Sequence, residues 1–499
     1  MYISTRDNWP EISAALAIKL GMVPQGGLFV PTYIPSFPLE RLKDLLAASY
    51  QELAQAILEP YLDDYAAEEI RELVGRAYNN NSFGSDAITP LVSLAEDLHI
   101  LELWHGPTAA FKDIALQLMP HLLSRAVQKV GSGKDTVILV ATSGDTGKAA
   151  LEGFKDVPGT RIIVFYPHQG VSKIQELQMT TTTGNNTHVV GVKGNFDDCQ
   201  TAVKSIFGDR EFARLLAERG YELSSANSIN WGRLLPQLVY YFSAYVQLVR
   251  QGRLTFGDKI NFVVPTGNFG NILAGWYASR MGLPVNKLIC ASNENKVLTD
   301  FFATGVYDRR RPFKQTISPS MDILISSNLE RFLYEMNGRD GKVVNGWLTG
   351  LQEEGIFSVD LQTKEAMDEV MWGGFATEEE TLATIEHTFK EKGYTLDPHT
   401  AVGVKVYHDY RKNTGDTSPT VVVATASPFK FNASVLKAIA GDEAVKGLDE
   451  FAMLGELARL TGLPIHPGLM GLDQKEVRHH RLGTKDQVPA QVLDILGVE

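Results

Sequence analysis

Only two cysteines, Cys199 and Cys290, occur in 499 residues. No CxxC pair or Cys/His cluster with ligand spacing is present. This argues against a disulfide framework and a metal site, and for a reduced, cytosol-like, cytoplasmic setting. No apolar run approaches the roughly 20 residues of a membrane helix. The first ten residues carry charge at once and lack the apolar core of a secretory signal. Positive charge is in deficit: 47 Lys and Arg against 59 Asp and Glu leave a net charge of −12. Nucleic acid and anionic membrane are therefore disfavoured as general partners. A small anionic substrate is not excluded, because a local cationic site can sit on an acidic protein. No internal repeat is visible. What remains is an ordinary globular composition, 44% hydrophobic and 21% charged. The length exceeds what one core serves, so two or three domains are expected.

Six short runs rich in Val and Ile read as buried strands: 135–141, 161–166, 187–192, 259–265, 287–292 and 420–426. Helix-period segments separate them, the pattern of an α/β protein with parallel sheets. The clearest helix begins near Phe111 and keeps one apolar face to Val130, with a kink predicted at Pro120. Residues 1–95 read as a mostly helical preface, and 295–415 as a helical elaboration.

Three loops carry chemistry. In WHGPTAAFKD (104–113), Lys112 falls in the first turn of a helix, where the dipole disfavours a cation. Apolar Ala109, Ala110 and Phe111 around it would weaken its hold on a proton. A neutral amine is a nucleophile, although a surface lysine covering apolar atoms with its stem has the same spacing. In VATSGDTGKAA (140–150), a strand runs through Ser143, Asp145 and Thr146 into a helix, gathering N–H groups and hydroxyls into an anion site. A P-loop needs Gly at Thr142 and Ser or Thr at Ala149, and both fail. A plain corner capped by Asp145 or Thr146 is the other reading. In VVPTGNFGNILAGW (263–276), Gly267, Asn268, Phe269, Gly270 and Asn271 form a compact turn suited to a phosphate rather than a dinucleotide. A softer feature is Thr425 with Ser427 at the end of the last strand, where open α/β sheets bind ligands. His105 and His168 stand near these motifs and receive no role.

The order of these loops resembles the threonine synthases, which are fold-type II pyridoxal-phosphate (PLP) enzymes. GGLFVP (26–31), GVSKIQELQMTT (170–181), NSINWGR (227–233) and DPHTAVG (397–403) look like further family segments, and the length and GNFGN spelling look like its longer branch. The resemblance implies a tryptophan synthase β-like fold, with parallel-rich sheets flanked by helices. It implies an N-terminal domain at 1–95, a large cofactor domain at 96–130 and 235–499 carrying the 295–415 insertion, and a small substrate domain at 131–234. It also implies that Lys112 holds the cofactor and shuttles protons. Residues 267–271 would grip the cofactor phosphate, and Thr425 would face the pyridine nitrogen. Ser143, Asp145 and Thr146 would surround the substrate carboxylate. Lys173, Asn230 and Arg233 are candidates for the phosphate of O-phospho-L-homoserine, the implied substrate, which would become L-threonine. No metal is implied, and oligomeric state is left open. Related enzymes often carry Asn where Asp145 stands, and a carboxylate accepts but does not donate, so the partner of the cofactor's phenolic oxygen stays open. Other fold-type II lyases, such as serine/threonine dehydratases or cysteine synthases, are the nearest alternatives.

Overall fold

The computed structural model describes residues 1–498. Two sheets organise the chain. The larger has six strands in the order Met371–Phe375, Val285–Ser292, Ile260–Pro265, Thr420–Ala424, Leu98–Glu102, Leu91–Ser93; all pair in parallel except the last. The smaller has five parallel strands in the order Arg481–Gly483, Thr187–Val192, Thr160–Pro167, Asp135–Ala141, Tyr221–Ser224.

The six expected strands all form. Their apolar runs are continuous because both faces of each sheet are covered. Along Ile260–Pro265, Phe262 and Val264 enter one core with helices Leu238–Arg250 and Gly270–Met281, while Val263 enters another with helix Pro398–Thr414. Each fully buried Val or Ile contributes about 1.5–3 kcal/mol, so a charge at Val263 would break this layer. The kink at Pro120 appears as a full break: one helix spans Lys112–Leu116, and Met119–Val130 restarts with proline in its first turn.

Three expectations change. Residues 1–95 do hold helices such as Tyr50–Leu58 and Ala67–Ala77, but Tyr2–Ser4 and Phe29–Pro31 form an antiparallel ribbon, and Leu91–Ser93 joins the larger sheet. The 295–415 region is not all helix, because Met371–Phe375 closes an edge of that sheet. Its Gly373 and Gly374 masked the strand signal. The chain's end does not stay with the large layer: Arg481–Gly483 pairs with Thr187–Val192, and Val488, Val492 and Leu496 of the final helix pack into the smaller sheet's core. Among the described residues no helix is long and apolar enough to cross a membrane.

Candidate active site

Parallel pairing puts all carboxyl ends of a sheet on one edge, where open α/β sheets bind ligands. The lysine loop follows strand Leu98–Glu102, the Gly-Asn loop follows Ile260–Pro265, and Thr425 follows Thr420–Ala424, so the larger sheet brings all three to one place. Thr425 and Ser427 lie just past the strand rather than in it. There Phe111 N donates to Thr425 O (2.8 Å) and Ser427 N to Ala109 O (3.0 Å), clamping the lysine loop.

Lys112 opens its helix, and its side chain is 12% exposed. Its Nζ donates to Ser320 Oγ at 3.3 Å and lies 3.7 Å from Asp145 Oδ2. Burial, with Lys430 and Arg233 nearby and against the pull of Asp145, lowers the ammonium's pKa to about 8. Asp145 does not cap its helix. Thr142 Oγ1 accepts from Gly144 N and Gly147 N (3.0 and 2.9 Å), which frees the carboxylate. Burial alone would push Asp145 up, yet Lys430 and Lys112 hold it well below its ordinary range. Gln175 Nε2 also donates to its Oδ1 at 2.9 Å. Gly144 has φ +134°, and an added Cβ would meet Gln175 at 2.5 Å, so only glycine fits this close approach. Lys148, the lysine of the rejected P-loop reading, is spent on Glu152 and on Thr182 Oγ1.

The phosphate-type loop is built from backbone and one amide. Phe269 has φ +65°, a strained conformation for a non-glycine residue, and its buried ring stacks on Phe302 and meets Phe332 at a tilt. Helix Gly270–Met281 begins there, and its first turn leaves N–H groups without intrahelical acceptors. Asn271 Oδ1 accepts from the hydroxyls of Tyr240 (2.6 Å) and Tyr241 (2.8 Å). That fixes the amide's orientation and leaves buried Nδ2 without a partner. Ser427 Oγ and Arg233 Nε are likewise buried and unpartnered. Three orphaned donors at the motif loops suit a polar ligand carrying anionic oxygens.

Ser320 joins the loops. Its Oγ accepts the hydrogen bond from Lys112 Nζ, and its carbonyl lies where a Cβ on Gly267 would approach to 2.4 Å. Ser326 Oγ donates to Gly267 O (2.7 Å) and Asn328 N to Asn268 O (3.0 Å). Ser320 is itself held by His399, whose Nε2 accepts from Ser320 N (3.2 Å) while Nδ1 faces Asp397 Oδ1 (2.9 Å). Asn293 Nδ2 ties the same segment through Thr316, Ser318 and Asp322.

Arg233 is buried beside Lys112. Among the described residues it has no carboxylate partner and makes one hydrogen bond, from Nη1 to Ala226 O (2.7 Å). Burial lowers its pKa to about 10. Ser143 is exposed at the loop tip and Thr146 is half-buried. Two candidates are not brought in. Asn230 is fully buried and spent on structure: Nδ2 donates to Ile18 O and Ser225 O, and Oδ1 accepts from Gly232 N. Lys173 points outward, 60% exposed and paired with Glu176. Residues not foreseen are Lys430, Ser320, Ser326, Asn328 and His399, together with Asp113, which Thr108 binds through N and Oγ1 and burial pushes up to about 6. Asp113, the last residue of WHGPTAAFKD, and His399, inside DPHTAVG, stood in segments that could have flagged them.

A lysine of lowered proton affinity faces a phosphate-type loop across one serine, and residues 85–358 match the family model "Pyridoxal-phosphate dependent enzyme", which puts the chain in that class. Residues 1–78 match "Threonine synthase N terminus" and 400–488 match "Threonine synthase, C-terminal". The chain belongs to the threonine synthase family. It is 40% identical to threonine synthase of Pseudomonas aeruginosa, covering 88% of this chain and 90% of that one. It is also 40% identical to that of Saccharomyces cerevisiae, with 88% and 89% covered. It is 42% identical to human threonine synthase-like 1 over 94% of this chain, and spans only 64% of that protein's length. The crystal structure of PLP-bound threonine synthase from Brucella melitensis superposes with a TM-score of 0.87 at 39% identity, covering 98% of each chain. The yeast enzyme gives 0.88 at 37%, covering 99% of this chain and 98% of that one.

Proposed function

We propose that this chain is a cytoplasmic threonine synthase, converting O-phospho-L-homoserine and water to L-threonine and phosphate. The observation that carries the reading is the Lys112–Ser320–Gly267 contact, which sets a reactive amine against a phosphate-type turn, with an unpaired buried arginine beside it. Pyridoxal phosphate, when bound, supplies the electron sink for carbanions beside the substrate's amino group.

Lys112 is the residue that would hold the cofactor, with the 267–271 turn and Asn271 Nδ2 on its phosphate and Thr425 by the ring nitrogen. A hydroxyl there does not stabilise a charged ring as a carboxylate would. The amine's lowered pKa lets Lys112 both take and return protons near neutral pH, and its flexible stem reaches neighbouring carbons of one substrate. Ser320 orients that amine when it is free. Arg233 would receive the substrate phosphate, its planar fork matching phosphate oxygens. Ser143 and Thr146, at the mouth of the loop, would meet the substrate carboxylate.

Borohydride reduction and peptide mapping should place the cofactor on Lys112, and Lys112→Ala should lose both the visible absorbance and turnover. Label on another lysine refutes the assignment. Phosphate release from phosphohomoserine, measured against ammonia release from serine, separates this reading from a dehydratase.

A further inference from the structure

Lys430 lies in none of the loops that carry the motifs, yet its side chain is 0% exposed and ends at the site. Its Nζ donates to Thr108 O at 2.9 Å and lies 3.0 Å from Asp145 Oδ1. Lys112 Nζ approaches the other oxygen only to 3.7 Å. One carboxylate therefore faces two ammonium groups, and the nearer is not the reactive one. The Thr108 carbonyl is itself fixed, because Asp113 accepts from Thr108 N and Oγ1. The other charged or titratable groups facing this cluster are Arg233 toward Lys112, and Asp113 and His466 toward Lys430.

We propose that Lys430 is a positioning residue for Lys112: it occupies Asp145 as a standing counter-ion, so that Asp145 does not lock Lys112 in its protonated form. The inference rests on the reading of Lys112 as the cofactor lysine. Without Lys430, Asp145 would keep the Gln175 hydrogen bond and pair with Lys112 alone, and such a buried ion pair holds its proton on the lysine even with Arg233 nearby. With Lys430 present, two buried cations share one anion, and losing a proton relieves the excess. Lys430 has the shorter contact and a second acceptor in Thr108 O, so Lys112 is the amine released.

The test reads the amine directly. Full-length apoprotein is reconstituted with pyridoxal phosphate, and the rate is followed by absorbance from roughly pH 6 to 10. Lys430→Gln, which keeps a donor for Thr108 O, and Lys430→Met, which keeps the stem, both remove the charge; Lys430→Arg retains it. Circular dichroism checks folding. The midpoint should rise by about one pH unit in the neutral variants, a roughly tenfold slower reaction at fixed pH below the midpoint, and stay near wild type in Lys430→Arg. Adding Asp145→Asn to a neutral variant should bring the midpoint back down. An unmoved midpoint in a folded neutral variant, or an equal shift in Lys430→Arg, overturns the proposal. Wild-type protein labelled by borohydride away from Lys112 overturns the underlying reading instead.

Discussion

Replacing Arg233 with methionine should stabilise the free protein while damaging substrate binding. The guanidinium is buried and, among the described residues, has no carboxylate beside it and makes one hydrogen bond, to Ala226 O. Burial brings its pKa down from the ordinary guanidinium range to about 10. At 1.36 kcal/mol per pH unit that is a penalty of about 3 kcal/mol for holding the charge in the fold. The sign follows from linkage: a base with a lowered folded-state pKa destabilises the fold fully below pH ~10, and the penalty fades only as pH rises further toward the ordinary guanidinium range. Throughout the usable range it is present in full. Losing the Ala226 hydrogen bond costs about 1 kcal/mol, so Arg233→Met should gain on the order of 2 kcal/mol. A phosphate in the site would contribute charge-assisted bonds of about 1.5–3 kcal/mol, so KM for phosphohomoserine should rise roughly 10- to 150-fold. Steady-state phosphate release gives KM, thermal unfolding without substrate gives the stability, and a PLP titration should be nearly unchanged. Unaltered KM with a lowered melting temperature would show the arginine to be structural and refute the reasoning.

Gly267→Ala should weaken PLP binding by about tenfold or more, because the new Cβ would sit 2.4 Å from Ser320 O and that backbone must retreat; equilibrium dialysis measures it. Gly346→Ala, on helix Gly341–Glu353 with nothing within 4 Å of the new Cβ, should instead stabilise by about 0.5–1 kcal/mol and leave kinetics alone. His399→Ala should leave Ser320 N–H unpaired and lower kcat with the fold intact. His399→Gln, which keeps an acceptor, should recover part of the loss, and equal kcat in both variants would remove His399 from the support of Ser320.

Local pattern determined a good deal. The six Val/Ile runs, an interruption at Pro120 and the loops at strand ends were legible because the period of a strand, the missing N–H of proline and the turn chemistry of glycine act within a few residues; the role given to Lys112 came from the family resemblance of its loop and not from its spacing. Met371–Phe375 was not, since its two glycines carry no side chain to signal burial. Tertiary packing alone decided the chemistry of the site. Lys112 and Ser320 are 208 residues apart, and Lys430 meets Thr108 across 322. Neither separation leaves any periodicity to read. Asn230 and Lys173 looked equivalent to Arg233 by charge and neighbourhood, yet burial and hydrogen-bond partners separated them: one amide consumed by backbone, one ammonium turned to solvent, one guanidinium buried and unpaired. Proton affinity depends on desolvation and on charges a few ångströms away, and those distances exist only once the chain has folded.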